Sequence, residues 1–124
     1  MTSPTANKTP ARPWRGEVWR VNFSNHPNDP HLPRPAVVIS NNLRNDFSNS
    51  VLAIPISGEE RGKMLPTHVF LPKGSGGLTK DSRALCEQLA SLDKDCFVEG
   101  PIGTIASVTL TSMVRAIGKA VEDA

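Results

Sequence analysis

Cysteine is scarce: Cys86 and Cys96 are the only two in a chain of 124 residues. Two cysteines do not make a disulfide framework, and their spacing is neither that of a metal knuckle nor that of a Cys-x-x-Cys redox pair. They read as reduced, mostly buried thiols of a cytoplasmic protein. Long apolar runs are missing as well. No stretch approaches the ~20 apolar residues of a membrane span, so no membrane association is expected. Residues 1–13 have no apolar h-region and are not expected to form a secretory signal. They are polar and proline-bearing, and are expected to be a disordered tail ahead of a single domain at 14–124. Charge of one sign is also lacking, with 14 Lys and Arg against 12 Asp and Glu and a net charge of +2. That balance does not announce nucleic-acid binding, so any basic surface has to be local. The hydrophobic share of 38% is low for a compact domain, and the tail accounts for part of the deficit. There are no internal repeats.

What is present is a pair of short apolar runs. Arg34-Pro35-Ala36-Val37-Val38-Ile39-Ser40 places one cation at the head of a stretch too short and too rich in Val and Ile to prefer helix. Val51-Leu52-Ala53-Ile54-Pro55-Ile56-Ser57 has the same length and ends in a hydroxyl. An antiparallel pairing that sets Ser40 against Val51 also sets Arg34 against Ser57. Pro35, Val37 and Ile39 then share a face with Leu52, Ile54 and Ile56, while Arg34 and Ser57 share the other at one end of the hairpin.

Around this pair the chain reads mainly as β-structure. Between Gly16 and Phe23, Trp19, Val21 and Phe23 alternate with Val18, Arg20 and Asn22, the period of a half-buried strand. Ser24 to Pro33 holds three prolines and two histidines without apolar pattern, a stiff surface loop leading directly to Arg34. Asn41 to Ser50, with four asparagines in ten residues, favours turns. Gly58 to Pro66 is a solvated, charged loop, and Thr67 to Pro72 a short strand. Lys73 to Ser82 is a glycine-rich loop with a lysine near each end. It lacks the Gly-Lys-Ser/Thr ending of a Walker loop, and is either a flexible turn or a backbone and lysine surface for phosphates. Arg83 to Leu92 has both helical spacing (Leu85, Leu89, Leu92) and strand alternation, and local propensity favours helix. Phe97 to Ala106 offers one or two short extended pieces. Leu110, Met113, Val114, Ile117 and Val121 form an apolar helical stripe with Thr109 as N-cap. Strands followed by a terminal helix suggest an α+β fold: a small, strongly bent sheet or barrel with an amphipathic helix packed on it.

Three sets of residues have chemistry to offer. Cys86 or Cys96 with a histidine would make a nucleophilic pair, but nothing local supports it. His26, Asp29 and His31 are metal donors on one loop, although polar loops commonly hold such residues without metal. Arg34 and Ser57 are the third set. A guanidinium grips phosphate oxygens through two parallel bonds and keeps its charge at any working pH. A serine hydroxyl at the same hairpin end can donate to or accept from the same group.

In order along the chain, Arg15-Gly16-Glu17-Val18-Trp19, the Arg34–Ser40 run, Ala53-Ile54-Pro55-Ile56-Ser57, Leu65-Pro66-Thr67-His68-Val69, Lys80-Asp81-Ser82 and Glu87-Gln88-Leu89 resemble motifs of the MazF/PemK family of bacterial toxins. The resemblance spans Arg15 to Val121. It implies an SH3-like barrel and a homodimer. It also implies a sequence-specific endoribonuclease that cuts single-stranded RNA without metal or cofactor, by attack of the 2′-hydroxyl on its own phosphate. The products are a 2′,3′-cyclic phosphate and a 5′-hydroxyl. By position, Arg34 would stabilise the charge building on phosphorus and help protonate the leaving oxygen, and Ser57 stands for the family's usual threonine. Gln88 matches a base-contacting position, while Lys80, Asp81 and Ser82 flank the same groove. The family has a strand at Arg83–Leu92. Before Arg34, many members carry Gly-x-Glu-Gln where this chain has Asn28 to Pro33, so the loop would read different bases or bring His31 into proton transfer. A cognate antitoxin would neutralise the enzyme by laying a disordered acidic tail across the RNA groove. The alternatives are a gyrase-binding, non-enzymatic toxin of the same fold, like CcdB, and a catalytically dead RNA-binding module.

Overall fold

The structure, a computed structural model, describes residues 11–23, 33–58 and 62–123. Within them, seven strands run as β1 (Glu17–Val21), β2 (Arg34–Val38), β3 (Ser50–Ser57), β4 (His68–Leu71), β5 (Ser82–Leu85), β6 (Ala90–Asp93) and β7 (Phe97–Thr104). Helices α1 (Asn42–Phe47) and α2 (Ser107–Val121) complete an α+β architecture. The sheet is antiparallel, in the order β4-β5-β3-β2-β1-β7, with β6 also paired to β3.

β2 and β3 pair as Ala36↔Pro55, Val37↔Ile54 and Val38↔Ala53. This is the register obtained by setting Ser40 against Val51. A single apolar face, however, is too narrow a description. Val37, Ile39, Ile54 and Ile56 belong to a core shared with Leu110, Met113 and Ala116 of α2. The opposite positions Ala36, Val38, Val51 and Ala53 are equally buried, in a second core with Trp19, Val21, Leu92, Cys96 and Phe97. The near-continuous apolar runs thus reflect strands covered on both sides. β1 is also more than half-buried: Val18 enters the first core and Trp19 and Val21 the second. The Trp19 ring meets Phe97 edge to face, with centroids 6.0 Å apart. Packing begins before Trp14, since Pro13 is fully buried and Ala11 lies against the second core. The remainder of the expected tail, residues 1–10, lies outside the described residues.

Three local expectations change, at Asn41–Ser50, at Arg83–Leu92 and at the Thr109 cap. Asn41 to Ser50 contains α1 and is not a run of turns. Asn41 caps that helix, its Oδ1 accepting from the Arg44 N–H at 2.9 Å, so the side-chain bonding that favours turns here starts a helix. The buried Asn45 amide donates to the Ser40 carbonyl at 2.9 Å and to Asn42 Oδ1 at 3.0 Å, tying α1 to the end of β2. Arg83 to Leu92 is neither helix nor one strand: β5 and β6 both run along β3 on either side of a 3₁₀ turn, Cys86–Gln88. The register shifts by three residues between Ile56↔Ala84 and Ala53↔Ala90, which is the length of that turn. Helical spacing and strand alternation therefore coexist because an inserted turn separates two extended halves. Phe97 to Thr104 is one strand along β1, with register irregularities absorbing Gly100 and Pro101. α2 starts at Ser107, capped by Ala106 without a side-chain bond, so Thr109 is not the N-cap.

The buried stripe of α2 is Leu110, Met113 and Ala116, with Ile117 against the core; Val114 and Val121 are exposed. Gly118 lies on this helix, and a Cβ there would meet no atom within 4 Å. Gly118→Ala should therefore stabilise the protein by about 0.5–1 kcal/mol through helix propensity alone. A thermal melt should show a rise of roughly 4 °C; an unchanged or lower midpoint would contradict the open packing at this position.

Candidate active site

One end of the β2–β3 hairpin opens on a cleft of about 790 Å³. Arg34 at the start of β2 and Ser57 at the end of β3 both line it, together with Pro35 and Ile56 from the same strand ends. Strict alternation would put Arg34 and Ser57 on the face opposite Pro35 and Ile56. All four meet one cleft because they sit where both strands terminate. β3 leaves its partner there: Ser57 is paired with Arg83 of β5. The Arg83 guanidinium donates to the Gly62 carbonyl at 2.7 Å, anchoring the loop that follows Ser57.

Among the described residues, three cations line the cleft: Arg20 from β1, Arg34, and Lys80 from the loop ahead of β5. Lys80 lies across the backbone next to Ser57, so closely that a Cβ on Gly58 would come within 2.3 Å of Lys80 Cε. Ser82 also lines the cleft, but its hydroxyl donates to the Lys80 carbonyl at 2.9 Å and so shapes the turn that presents Lys80. Asp81 acts one step further back, its Oδ1 accepting from the Lys73 N–H at 2.8 Å to close the glycine-rich loop. That loop is not a free turn. Gly76 is buried at φ +55°, where a Cβ would stand 2.6 Å from Val18 Cγ2, and Gly77 to Lys80 continue from it as one wall of the cleft.

Not every expected residue gathers here. Gln88 lies on the 3₁₀ turn beyond the far end of β5, exposed and apart from the cleft lining. Its neighbour Glu87 is 3.2 Å from His68 Nε2. His31, and the histidine and aspartate donors weighed as a metal set, lie outside the described residues. The cysteines are core groups: Cys86 is buried, and desolvation together with the charge of Glu87 pushes its thiol up to about 11. Burial also raises the Cys96 thiol. Neither presents a thiolate nucleophile at neutral pH.

Three participants were missed by sequence reasoning. The Arg34 guanidinium stands 5.6 Å from the centroid of the Phe23 ring, a cation–π distance. In the sequence Phe23 is only one apolar beat of an alternating strand. Arg20 and Glu99 form an ion pair in the cleft, Nε to Oε1 3.1 Å. Arg20 was visible as the one cation among the alternate positions of β1, but nothing local joins it to a residue 79 positions later; only the β1–β7 register does, through Arg20↔Glu99.

Residues 14–121 match the family described as PemK-like, MazF-like toxins of type II toxin–antitoxin systems. The chain belongs to this family. A PemK/MazF relative, the endoribonuclease MazF of Staphylococcus saprophyticus, is 40% identical over 62 residues, which are 50% of this chain and 52% of that protein. The match thus spans about half the length of the relative. Among solved structures, an endoribonuclease from a mycobacterial species superposes with a TM-score of 0.71 at 22% identity, covering 92% of this chain and 95% of that one. A MazE–MazF structure from Deinococcus radiodurans gives a TM-score of 0.69 at 21% identity over 90% and 97% of the two chains. At these identities the structural likenesses speak for a shared PemK/MazF fold. No helix among the described residues is long and apolar enough to cross a membrane.

Proposed function

We propose that this PemK/MazF-family protein is an endoribonuclease toxin that cuts single-stranded RNA at a short sequence, through attack of a 2′-hydroxyl on the adjacent phosphate. The observation that carries the proposal is the meeting of Arg34, Ser57, Arg20 and Lys80 on one cleft. Permanent guanidinium charges stabilise a phosphorane as negative charge accumulates on its oxygens. Arg34 takes the central part, seated on the Phe23 ring, and the Ser57 hydroxyl bonds a phosphoryl oxygen or the leaving oxygen. Lys80 and Arg20 are placed to meet the neighbouring phosphates, which supports binding that weakens as salt rises. Charge stabilisation comes from side chains, so cleavage is expected to persist in EDTA. Gln88, which lies apart from the cleft lining, is retained as a candidate for base selection, and His31 as a candidate for base selection or proton transfer.

The regulation expected of this family completes the reading. A cognate antitoxin would neutralise the toxin, the working form would be a homodimer, and both would act in the cytoplasm. Among the relatives, a mycobacterial endoribonuclease in complex with its cognate antitoxin has the same fold as this chain, with a TM-score of 0.70. The cation-rich cleft suits an acidic tail as well as it suits RNA.

The test is incubation of the purified protein with a long RNA in EDTA, followed by sequencing of the 5′ ends. Discrete sites with 5′-hydroxyl and 2′,3′-cyclic phosphate ends are expected. Ser57→Ala should slow cleavage about 100-fold, the effect of losing one hydrogen-bonding group at a developing charge, whereas Ser57→Thr keeps the hydroxyl and most of the rate. Equal rates in all three proteins would remove Ser57 from the chemistry. Tight, salt-sensitive RNA binding without products would point instead to an RNA-binding module, and trapped gyrase–DNA complexes with intact RNA to a binding toxin.

A further inference from the structure

Attack by a 2′-hydroxyl releases a proton, and neither Arg34 nor Ser57 is a base at neutral pH. Among the described residues, one carboxylate lines the cleft: Glu99. It is carried on β7, two strands away from β2 across β1. Arg20 is the residue between them, opposed to Glu99 on one side and to Pro35, the neighbour of Arg34, on the other. Two interstrand spacings make about 10 Å between backbones. That gap suits a phosphodiester and its ribose held between an arginine and a glutamate side chain.

The carboxylate is also held in place. Arg20 Nε bonds Glu99 Oε1 at 3.1 Å, leaving the second carboxylate oxygen for another partner. Glu99 stands directly ahead of Gly100, whose backbone lies against the indole of Trp19; a Cβ at Gly100 would be 2.7 Å from Trp19 Cδ2. Trp19 in turn is packed on Phe97. The acid therefore projects from a strand fixed on the second core, the rigid mounting a catalytic group needs. Glu99 is the one titratable residue of β7 itself. On the facing strand β1 the charged groups are Arg20 and Glu17, and Glu17 is engaged elsewhere, its Oε1 accepting from the Trp14 N–H and the Trp19 indole N–H. Among the described residues, the other charged groups facing the cleft are Arg34 and Lys80.

We propose that Glu99, oriented by Arg20, is the general base of the cleavage reaction; the proposal rests on the endoribonuclease reading above. As the 2′-oxygen forms its bond to phosphorus, its proton passes to the Glu99 carboxylate. The bond from phosphorus to the 5′-oxygen breaks, and the departing oxygen takes a proton from water. Glu99 then returns its proton to solvent. Arg20 has a double task, fixing the carboxylate and lending positive charge to the phosphate beside it.

The experiment is the pH dependence of single-turnover RNA cleavage in EDTA, for wild type, Glu99→Gln and Glu99→Asp. Wild type should show an acidic limb of unit slope rising to a plateau. Glu99→Gln should lose about 100-fold on the plateau, the usual scale for a general base, and should lose the acidic limb, with KM for RNA little changed. Glu99→Asp keeps a carboxylate and should keep the limb at a reduced rate. The Glu99 side chain is 69% exposed, so both variants should melt like wild type. Cleavage by Glu99→Gln at the wild-type rate, or with the limb intact, overturns the assignment of Glu99 and leaves the endoribonuclease reading standing. A limb lost in Glu99→Asp also overturns it. No cleavage by wild type overturns both.

Discussion

Arg34→Ala should reduce RNA cleavage by about 10³-fold or more, the scale seen when an arginine that stabilises a transferring phosphoryl group is removed. In free energy this is about 4 kcal/mol of transition-state stabilisation. The fold should hardly notice. Arg34 is exposed at the mouth of β2 and meets the Phe23 ring at 5.6 Å, and an exposed cation–π contact contributes about 0.5–1 kcal/mol. The hairpin beneath it is held by Val37, Val38, Ile54 and Ala53, all fully buried. The useful comparison is Arg34→Lys, which keeps the charge and loses the planar fork. If bidentate recognition of the phosphate matters, lysine restores only a small part of the rate; if charge alone matters, lysine restores most of it. Single-turnover rates together with thermal melts separate chemistry from folding. A folded Arg34→Ala protein that cuts RNA within tenfold of wild type would sink the assignment.

Much of this arrangement is legible in the chain, and the line of failure is physical. The β2–β3 register follows from local information, two equal runs with one parity, and Ala36↔Pro55 through Val38↔Ala53 agree with it. Arg34 and Ser57 come to one cleft as a consequence. Burial on both faces of that hairpin depends on what packs from outside, and alternation within seven residues does not report it. The asparagines of 41–50 carry side-chain bonds that serve a turn or a helix cap equally well, and only the docking of Asn45 under Ser40 decides between them. In α2, Val114 and Val121 satisfy helical spacing as well as Ala116 does; the packed face is centred on Leu110, Met113 and Ala116, which leaves both valines exposed. Phe23 under Arg34, and Glu99 beside Arg20, are long-range pairings with no local trace. They are also the residues that supply what the legible pair lacks, a seat for the cation and an acceptor for the proton. Lys80, Asp81 and Ser82 were legible as neighbours of the site, but their division of labour was not: Lys80 reaches the cleft while Asp81 and Ser82 shape its loop.

Gly103→Ala should be strongly damaging for a single added methyl, because it strikes the contact between the sheet and the loop that forms one cleft wall. A Cβ on Gly103 would stand 2.5 Å from the Gly76 carbonyl carbon, 2.7 Å from its oxygen and 2.8 Å from the Gly77 nitrogen. Every one of these is backbone, so no rotamer change relieves the clash. The turn at Ser75–Gly77 is held by further contacts: the Gly76 backbone lies on Val18 and Ile105, and Gly77 lies against Ile102. Relief requires lifting the whole turn from β7. Overpacking of this kind costs roughly 1–3 kcal/mol, which should lower the melting midpoint by about 5–15 °C. The functional loss should exceed the loss of folded protein, because Gly77 to Lys80 run directly from the turn into the cleft and Lys80 lies beside Ser57 at Gly58. Gly74 provides the control. It opens the same turn at φ +98°, but a Cβ there meets nothing within 4 Å, so Gly74→Asn carries only the cost of left-handed backbone, which asparagine tolerates. Cleavage measured well below the melting point of both variants should fall at least tenfold for Gly103→Ala and less than threefold for Gly74→Asn. A Gly103→Ala protein that melts within 2 °C of wild type and cuts at full rate would mean that the wall does not depend on this backbone contact.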